Sequence, residues 1–248
     1  MTINEFRWGI KPAVPGHWRE TLSHDGFEIE IADDWIEVRK EDNGERDAQQ
    51  KRAQQIVEGI VRKIGLYEKA KFTATFGSVA RFDAESNRRD TTAFISDSVK
   101  ASVHMDIVLT SADGTVIADS KKEREAELLR FADLCSGNEN LRAISDYLLE
   151  YHSDPQKKLA PLYDIIERAD KIFGSRDKAA IALGVSKKTI SRTTGVINDK
   201  TIRSGRHRGQ ELIGQRDPSP AESQLCEAVA KQIVNEYAKM VENGMAPK

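Results

Sequence analysis

The sequence predicts an α+β protein, in which an N-terminal antiparallel sheet with a helix is followed by an all-helical C-terminal region. Apolar and polar residues alternate in segments of the first half of the chain, which is typical of half-buried strands. Beyond residue 120 the apolar residues recur at spacings of three and four, which is typical of amphipathic helices. We therefore divide the chain into an α+β module at 1–120, connecting helices at 121–153 and a helical domain at 154–248.

A hairpin and then a helix are predicted within the first 65 residues. The segment 26–39 alternates apolar and polar side chains on both sides of an Asp-Asp turn, which favours a hairpin. Its apolar side chains are Phe27, Ile29, Ile31, Trp35, Ile36 and Val38. From 47 to 64 apolar residues recur at helical spacing, and Gly65 is predicted to end this helix.

Extended segments return between this helix and residue 120. Strands are predicted at 70–82 and at 93–110, where every second residue from Val103 to Leu109 is apolar. Asp113-Gly114 is a strong hairpin signal and leads into a further strand at 115–118. The predicted order is β-β-α-β-β-β, which indicates an antiparallel sheet packed on a helix.

Two helices are predicted at 121–135 and 139–151, separated by the helix-breaking residues Ser136-Gly137-Asn138. Asp154 before Pro155 is predicted to open the next helix, because aspartate caps helices and proline fits their first turn. The apolar spacing of that helix continues as far as Gly174.

The last helix has a clear start signal at Ser219-Pro220-Ala221-Glu222, in which the serine and the glutamate can cap each other's backbone N–H groups. An apolar stripe follows, made of Leu225, Val229, Ile233, Tyr237 and Met240. This long final helix is the surface through which we expect two copies of the chain to pair.

The composition indicates a folded protein and excludes the secreted, membrane and fibrous classes. The chain has 248 residues, of which 39% are hydrophobic and 31% charged, and its formal net charge is −2. Its two cysteines, Cys135 and Cys226, lie far apart and form no metal-binding pattern. No apolar run approaches the roughly 20 residues of a membrane-spanning helix. We expect a cytoplasmic protein without membrane association, cofactor or metal ion.

Positive charge is concentrated in residues 171–208. This segment holds ten basic and two acidic residues, whereas the rest of the chain holds 28 basic and 38 acidic residues. A local excess of this sign attracts phosphates, and phosphate contacts dominate sequence-independent affinity for nucleic acids. Charge alone leaves two alternatives open, namely a solvated basic surface and an internal match to the acidic remainder of the chain.

Residues 176–192, within the basic segment, resemble the helix-turn-helix of bacterial repressors. The small Ala180 allows two helices to cross, Gly184 permits a tight turn, and Ser186 can cap the second helix. The apolar residues expected to hold the crossing together are Leu183, Val185 and Ile190. Since Thr193-Thr194-Gly195 follows, we expect the second helix to end early, at about residue 194.

The resemblance implies that the second helix is a recognition helix. Its residues expected to face the major groove or the flanking phosphates are Lys187, Lys188, Thr189, Ser191 and Arg192. Three further arginines are expected to hold the nucleic-acid backbone, namely Arg203, Arg206 and Arg208. We therefore predict a non-enzymatic regulator that binds duplex DNA. A homodimer is also expected, because repressor-like proteins usually pair to reach two half-sites.

The segment 203–209 supports a different interpretation. His207 lies among three arginines, and an arginine can stabilise the charge of a cleaving phosphodiester while a histidine transfers the proton. This pattern is similar to that of the HEPN ribonuclease superfamily, which implies catalysis by His207 with Arg203 and Arg206. Three residues separate Arg203 from His207, which is fewer than the motif of that superfamily has. The alternative function is a HEPN-like ribonuclease or phage-defence protein.

A third interpretation is a protein-interaction module, in which the basic and acidic parts of the chain meet each other or a partner. A combination of segments also resembles a widespread family of bacterial proteins, namely Ala112-Asp113-Gly114, Ala118-Asp119-Ser120, the LGVS segment at 183–186, Asn198-Asp199 and 205–209. That resemblance implies a shared architecture and no particular activity.

Overall fold

A computed structural model of the chain separates into two compact units. The first comprises Met1–Ile64 and Phe72–Asp133, and the second comprises Gly65–Lys71 and Leu134–Lys248. The residues that the structure describes are 2–83, 88–93, 108–110, 116–153, 159–203, 205 and 216–247.

Antiparallel strands form the framework of the first unit. Their bounds are β1 (Thr2–Lys11), β2 (Glu20–His24), β3 (Phe27–Ile31), β4 (Trp35–Glu41), β5 (Thr73–Asp83), β6 (Arg88–Ala93), β7 (Val108–Thr110) and β8 (Val116–Asp119). Six of them make one sheet in the order β2-β3-β4-β1-β5-β6, and β7 pairs with β8. All of these pairings are antiparallel.

The predicted hairpin at 26–39 is confirmed, because β3 and β4 pair with Ile29 opposite Val38 and Ile31 opposite Ile36. The predicted strand at 70–82 corresponds to β5. The hairpin predicted across Asp113-Gly114 corresponds to β7 and β8, although 94–107 and 111–115 lie outside the described residues. The predicted strand order is wrong at its start, because β1 and β2 precede the hairpin and β1 lies between β4 and β5.

One face of this sheet carries the core of the first unit. In β1 the side chains of Asn4, Phe6, Trp8 and Ile10 are at most 2% exposed and alternate with more exposed neighbours. Asn4 Nδ2 donates a hydrogen bond to Gln49 Oε1 at 2.9 Å, which ties β1 to α1 (Arg46–Glu68). The side chains of α1 that are completely buried are Ala53, Ile56, Val57, Ile60 and Ile64.

The prediction that Gly65 ends α1 is wrong, because the helix continues to Glu68. The Gly65 carbonyl accepts a hydrogen bond from the Ala70 N–H at 3.1 Å, and Lys69 adopts a φ of 51° directly after the last turn. A glycine inside a helix costs only about 1 kcal/mol relative to alanine. The burial of the apolar side of α1 outweighs that cost.

Helices make up the second half of the chain, as predicted, and the α+β class is confirmed. Their bounds are α2 (Ser120–Gly137), α3 (Glu139–Ser153), α4 (Ala160–Phe173), α5 (Arg176–Ala182), α6 (Lys187–Ile197) and α7 (Pro220–Glu242). Asn138 separates α2 from α3 and accepts a hydrogen bond from the Leu141 N–H at 2.8 Å. Asp154 and Pro155 lie outside the described residues, and α4 begins later than predicted, at Ala160 with Leu159 at its N-cap. Gly174, with a φ of 79°, ends α4 as predicted.

The capping box predicted for the last helix is confirmed, because Ser219 and Glu222 cap each other's backbone N–H groups. The apolar stripe of α7 packs against α3, α4 and α6 within its own unit. Three members of that stripe are buried, namely Val229, Ile233 and Tyr237, and so are three further residues of the helix, namely Cys226, Ala230 and Val234. The apolar side of α7 is thus largely used within its own unit, and pairing of two copies through this helix stays a prediction.

Both cysteines are buried and neither is part of a disulfide, Cys135 in α2 and Cys226 in α7. Burial raises the pKa of the Cys226 thiol to about 12, so this side chain behaves as an uncharged core residue. None of the helices in the described part of the chain is long and apolar enough to cross a bilayer.

The helices α1 and α2 meet in close contact at Gly59. A Cβ atom on this residue would lie 2.3 Å from Ala132 Cα and 2.6 Å from Ala132 Cβ. The nearest of these atoms belongs to the backbone, so no change of rotamer could make room. The same pair of helices is joined by an ion pair between Lys63 Nζ and Glu127 Oε1 at 2.7 Å.

We expect Gly59→Ala to destabilise the protein, although alanine is intrinsically the better helix former. The extra methyl group forces the two helices apart, and overpacking of this kind costs about 1–3 kcal/mol. Chemical denaturation of the full chain measures the loss. Gly137→Ala is the control, because a Cβ there would meet nothing within 4 Å. Equal stability of wild type and Gly59→Ala would contradict the close contact.

Candidate nucleic-acid interface

The helix pair α5–α6 has the local structure that its sequence predicts. Ser175 caps α5 by accepting a hydrogen bond from the Lys178 N–H, and Ser186 caps α6 by accepting one from the Thr189 N–H at 3.0 Å. Between the helices, Gly184 adopts a φ of 62°, a backbone conformation that residues with a Cβ atom rarely adopt. Gln232 Nε2 donates to the Gly184 carbonyl at 2.9 Å and anchors this turn to α7.

The inner side of the pair is apolar and buried, as predicted. The residues predicted to lie at the crossing, Ala180, Leu183, Val185 and Ile190, are all at most 5% exposed. The buried side of α6 continues through Thr193, Thr194 and Ile197.

The prediction that α6 ends near residue 194 is wrong, because the helix runs on to Ile197. Thr194 Oγ1 donates to the Ser191 carbonyl at 3.1 Å, so its hydroxyl is satisfied without leaving the helix. Burial of Ile197 gives the last turn an apolar contact that the two threonines and Gly195 did not suggest. The candidate recognition helix is therefore three residues longer than expected.

The outer side of α6 carries most of the predicted contact residues. Lys187, Lys188, Ser191 and Arg192 are exposed, whereas Thr189 is half-buried. The Thr189 hydroxyl lies 2.7 Å from Ser186 Oγ, which makes Thr189 part of the cap. The Thr189 side chain is therefore less accessible to a nucleic acid than the sequence suggested.

The basic side chains of this region differ in how far other residues of the protein neutralise them. Arg176 donates two hydrogen bonds to Asp170 Oδ2, and these raise the pKa of the guanidinium. Lys187 Nζ lies 2.9 Å from Asp177 Oδ2. Within the described residues Lys188 and Arg192 make no ion pair. Two cations one helical turn apart are thus left to water on the outer side of α6.

Gly195 also lies on the exposed side of α6, inside the helix. A Cβ atom on this residue would meet nothing within 4 Å. Packing against the described residues therefore does not explain why a glycine occupies this helical position.

After α6, backbone hydrogen bonds connect residues 201–203 to Arg216. Arg203 N donates to the Arg216 carbonyl at 2.9 Å, and Arg216 N donates to the Thr201 carbonyl at 2.7 Å. Ile202 at this point is completely buried, whereas Arg203 is exposed. Of the other predicted residues, Arg206, His207 and Arg208 lie outside the described residues.

A bidentate ion pair joins Arg216 to Glu222 at the start of α7. Arg216 Nη1 and Nη2 donate to Glu222 Oε2 and Oε1, each at 2.8 Å. These hydrogen bonds, with one from the Ser219 N–H, lower the pKa of Glu222 from 4.5 to about 2. The side chain that caps α7 thus also holds Arg216.

Sequence reasoning missed a charged group at the turn between β2 and β3. His24, Asp25 and Asp133 place potential ligand atoms within 4.8 Å of one another. Arg52 Nη2 lies 2.6 Å from Asp25 Oδ2 and 2.7 Å from Asp133 Oδ1, so a guanidinium supplies the positive charge among these carboxylates. His24 and Asp133 stand 109 positions apart, and no local pattern could have joined them.

We expect Glu222→Gln to lower the stability of the protein in a pH-dependent way. The folded-state pKa of Glu222 is depressed, so its contribution is fully present above pH 4.5 and is lost as the pH falls toward 2. Denaturant melts over this range should bring the wild type and the variant together in acid. Glu123→Gln, at an exposed position, should show no such convergence. A stability difference that is constant with pH would contradict the assignment.

Comparisons of the chain with protein-family models, with curated proteins and with solved structures found no match. The activity of the chain has to be inferred from the chemistry of its own residues.

Proposed function

We propose that the chain is a DNA-binding regulator that contacts duplex DNA through the outer side of α6. The observation that carries this proposal is the contrast between the two sides of that helix. Lys188, Ser191 and Arg192 face water, while Ile190 and Ile197 on the other side are buried. Lysine and arginine bind phosphates, and arginine and serine also bond to base edges in the major groove.

The start of α6 adds to this positive surface. The unpaired N–H groups of a helix N-terminus carry a partial positive charge, which is favourable for phosphate binding. Lys187 and Lys188 occupy the first turn there. Asp177 neutralises Lys187 in part, so Lys188 and Arg192 are the stronger candidates for direct contact.

Gly195 is a second, independent observation in favour of the same surface. A glycine inside a helix destabilises it, and here no neighbouring atom requires one. Glycine is favoured where a backbone must come close to a ligand. A sugar-phosphate strand lying along the outer side of α6 would come close to the helix backbone at Gly195.

Replacing both Lys188 and Arg192 with alanine should weaken duplex binding. Each lost phosphate contact reduces the slope of log K against log salt by about 0.9, so the double variant should lose close to two. Fluorescence anisotropy with labelled duplex DNA at several salt concentrations measures this slope. The matched control replaces Arg46 and Lys51, an exposed arginine and lysine on α1. Equal slopes for the two double variants would overturn the proposal.

Gly195→Ala separates binding from stability. We expect this variant to be more stable than wild type by about 0.5–1 kcal/mol, because alanine favours the helix. Its affinity for duplex DNA should nevertheless fall several-fold, because the added methyl group keeps the sugar-phosphate strand away. Unchanged affinity in the stabilised variant would remove the role proposed for Gly195.

The same samples test the ribonuclease alternative that the sequence raises. Single-stranded RNA incubated with the protein is expected to stay intact on a denaturing gel and to bind more weakly than duplex DNA. If the wild type shortens the RNA and His207→Ala does not, the protein is a nuclease and the proposal of a regulator is wrong. Absence of binding to either nucleic acid at low salt would leave the protein-interaction interpretation.

A further inference from the structure

The first unit contains a groove of about 620 Å³, and none of its lining residues was considered above for nucleic-acid binding. It is lined by the start of β2, by the hairpin between β3 and β4, and by Lys121 in the first turn of α2. Small-molecule sites typically have volumes of roughly 300–1,000 Å³. This groove is thus of a size for an organic molecule and much larger than a single ion needs.

The hairpin that lines the groove is held rigidly. Ile10 N donates to the Asp34 carbonyl at 2.7 Å, and Val14 N donates to the Asp33 carbonyl at 2.5 Å. Ala32 N donates to the Trp35 carbonyl at 2.9 Å and closes the turn. A ligand would therefore find these side chains on a fixed backbone, which reduces the entropy lost on binding.

The two cationic side chains that line the groove are already engaged. Arg19 Nε donates to Asp33 Oδ1 at 2.6 Å. Lys121 Nζ lies 2.8 Å from Oε2 of Glu20, whose side chain is only 3% exposed. Arg124 Nη2 also donates to Glu20, at 3.1 Å. The positive charge of the lining is thus used within the protein.

Negative charge in the lining is less well neutralised. Within the described residues the Asp34 carboxylate has neither an ion pair nor a hydrogen bond. Glu30 stands directly opposite Glu37 in the pairing of β3 with β4, and like charges in that position repel. Both depend on the guanidinium of Arg39, which lies 2.5 Å from Glu37 Oε1 but 3.4 Å from Glu30 Oε2.

An aromatic ring completes the lining. Trp35 is half-buried, and the Arg7 guanidinium already lies 4.1 Å from the centre of its ring. An indole ring attracts cations through its electron-rich face and contacts alkyl chains through its apolar surface. Because the Arg7 cation already lies against this ring, Trp35 contributes to the groove an apolar surface that suits the alkyl chain of a ligand.

We propose that this groove binds a small organic cation of the alkyl polyamine class. Asp34 and Glu30 receive the ammonium groups, and Trp35 contacts the methylene chain between them. Glu20 and Asp33 are paired with cations of the protein, whereas the Asp34 carboxylate has no partner within the described residues and Glu30 lies 3.4 Å from Arg39, so the charge left in the groove favours a positive ligand over an anionic one. This site is independent of the nucleic-acid surface on α6.

Isothermal titration of the full chain with spermidine and with putrescine tests the proposal, with butanediol and succinate as the uncharged and anionic controls. We expect heat from the two amines only. Tryptophan emission should change in parallel, because Trp35 is half-buried whereas Trp8 and Trp18 are only 2% exposed. This fluorescence change should disappear in Trp35→Phe. Binding of butanediol or succinate with similar affinity would overturn the proposal.

The sharpest variant is Asp34→Asn, because the carboxylate makes no bond that the fold needs and the Asp34 carbonyl still accepts from Ile10. We expect this variant to melt like wild type and to bind spermidine about tenfold more weakly, which corresponds to roughly 1.4 kcal/mol. The matched control is Asp47→Asn, which removes the same charge from an exposed position on α1. Equal affinities for the two variants, or no heat with the wild type, would overturn the site.

Discussion

One-sided burial is the constraint on which the rest of the structure depends. The helices α1, α6 and α7 each place a continuous apolar side against their own unit, and α1 does so with five side chains that are completely shielded from water. Burial of each isoleucine or valine among them contributes about 1.5–3 kcal/mol, whereas a typical neutral hydrogen bond contributes about 0.5–1.5 kcal/mol. Once those sides are buried, the remaining sides are fixed in water. The positions of Lys188 and Arg192 follow from Ile190 and Ile197.

Electrostatic pairing then decides which of the exposed charges remain available. Arg176, Lys187, Arg216 and Arg52 each lie within 3 Å of a carboxylate oxygen of their own unit. A cation in such a pair would have to lose its partner before it could neutralise a phosphate. The number of basic residues in 171–208 therefore overstates the charge that the surface offers. The same reasoning favours Asp34 as the most available carboxylate of the groove.

Local rules predicted local features well. The capping box at Ser219, the turn at Gly184 and the cap at Ser186 depend on a few neighbouring residues, and each has the expected hydrogen bonds. The strand β1 could have been predicted, because Phe6, Trp8 and Ile10 alternate with polar residues and glycine. The continuation of α1 and α6 through Gly65 and Gly195 could not, because tertiary burial outweighs the helix-breaking tendency of a single glycine.

The groove and the His24 group lay beyond sequence reasoning for a different reason. Each joins side chains that are distant in the chain, such as Asp34 with Lys121, and only the pairing of strands and helices brings them together. The basic residues of α6 could be predicted from the sequence, because residues three and four positions apart lie on the same side of a helix. Their availability for binding still required the structure, since only the pairing with Asp177 distinguishes Lys187 from Lys188.

The close contact at Gly59 has a consequence for how this protein can vary. A clash between two side chains can be relieved by a compensating change in the partner, so such positions can change together. Here the nearest obstacle is Ala132 Cα, which every amino acid possesses. No substitution at 132 makes room for a larger residue at 59, and only a shift of a whole helix could do so. Related chains that keep this helix pairing should therefore keep the glycine, whatever residue they carry opposite it.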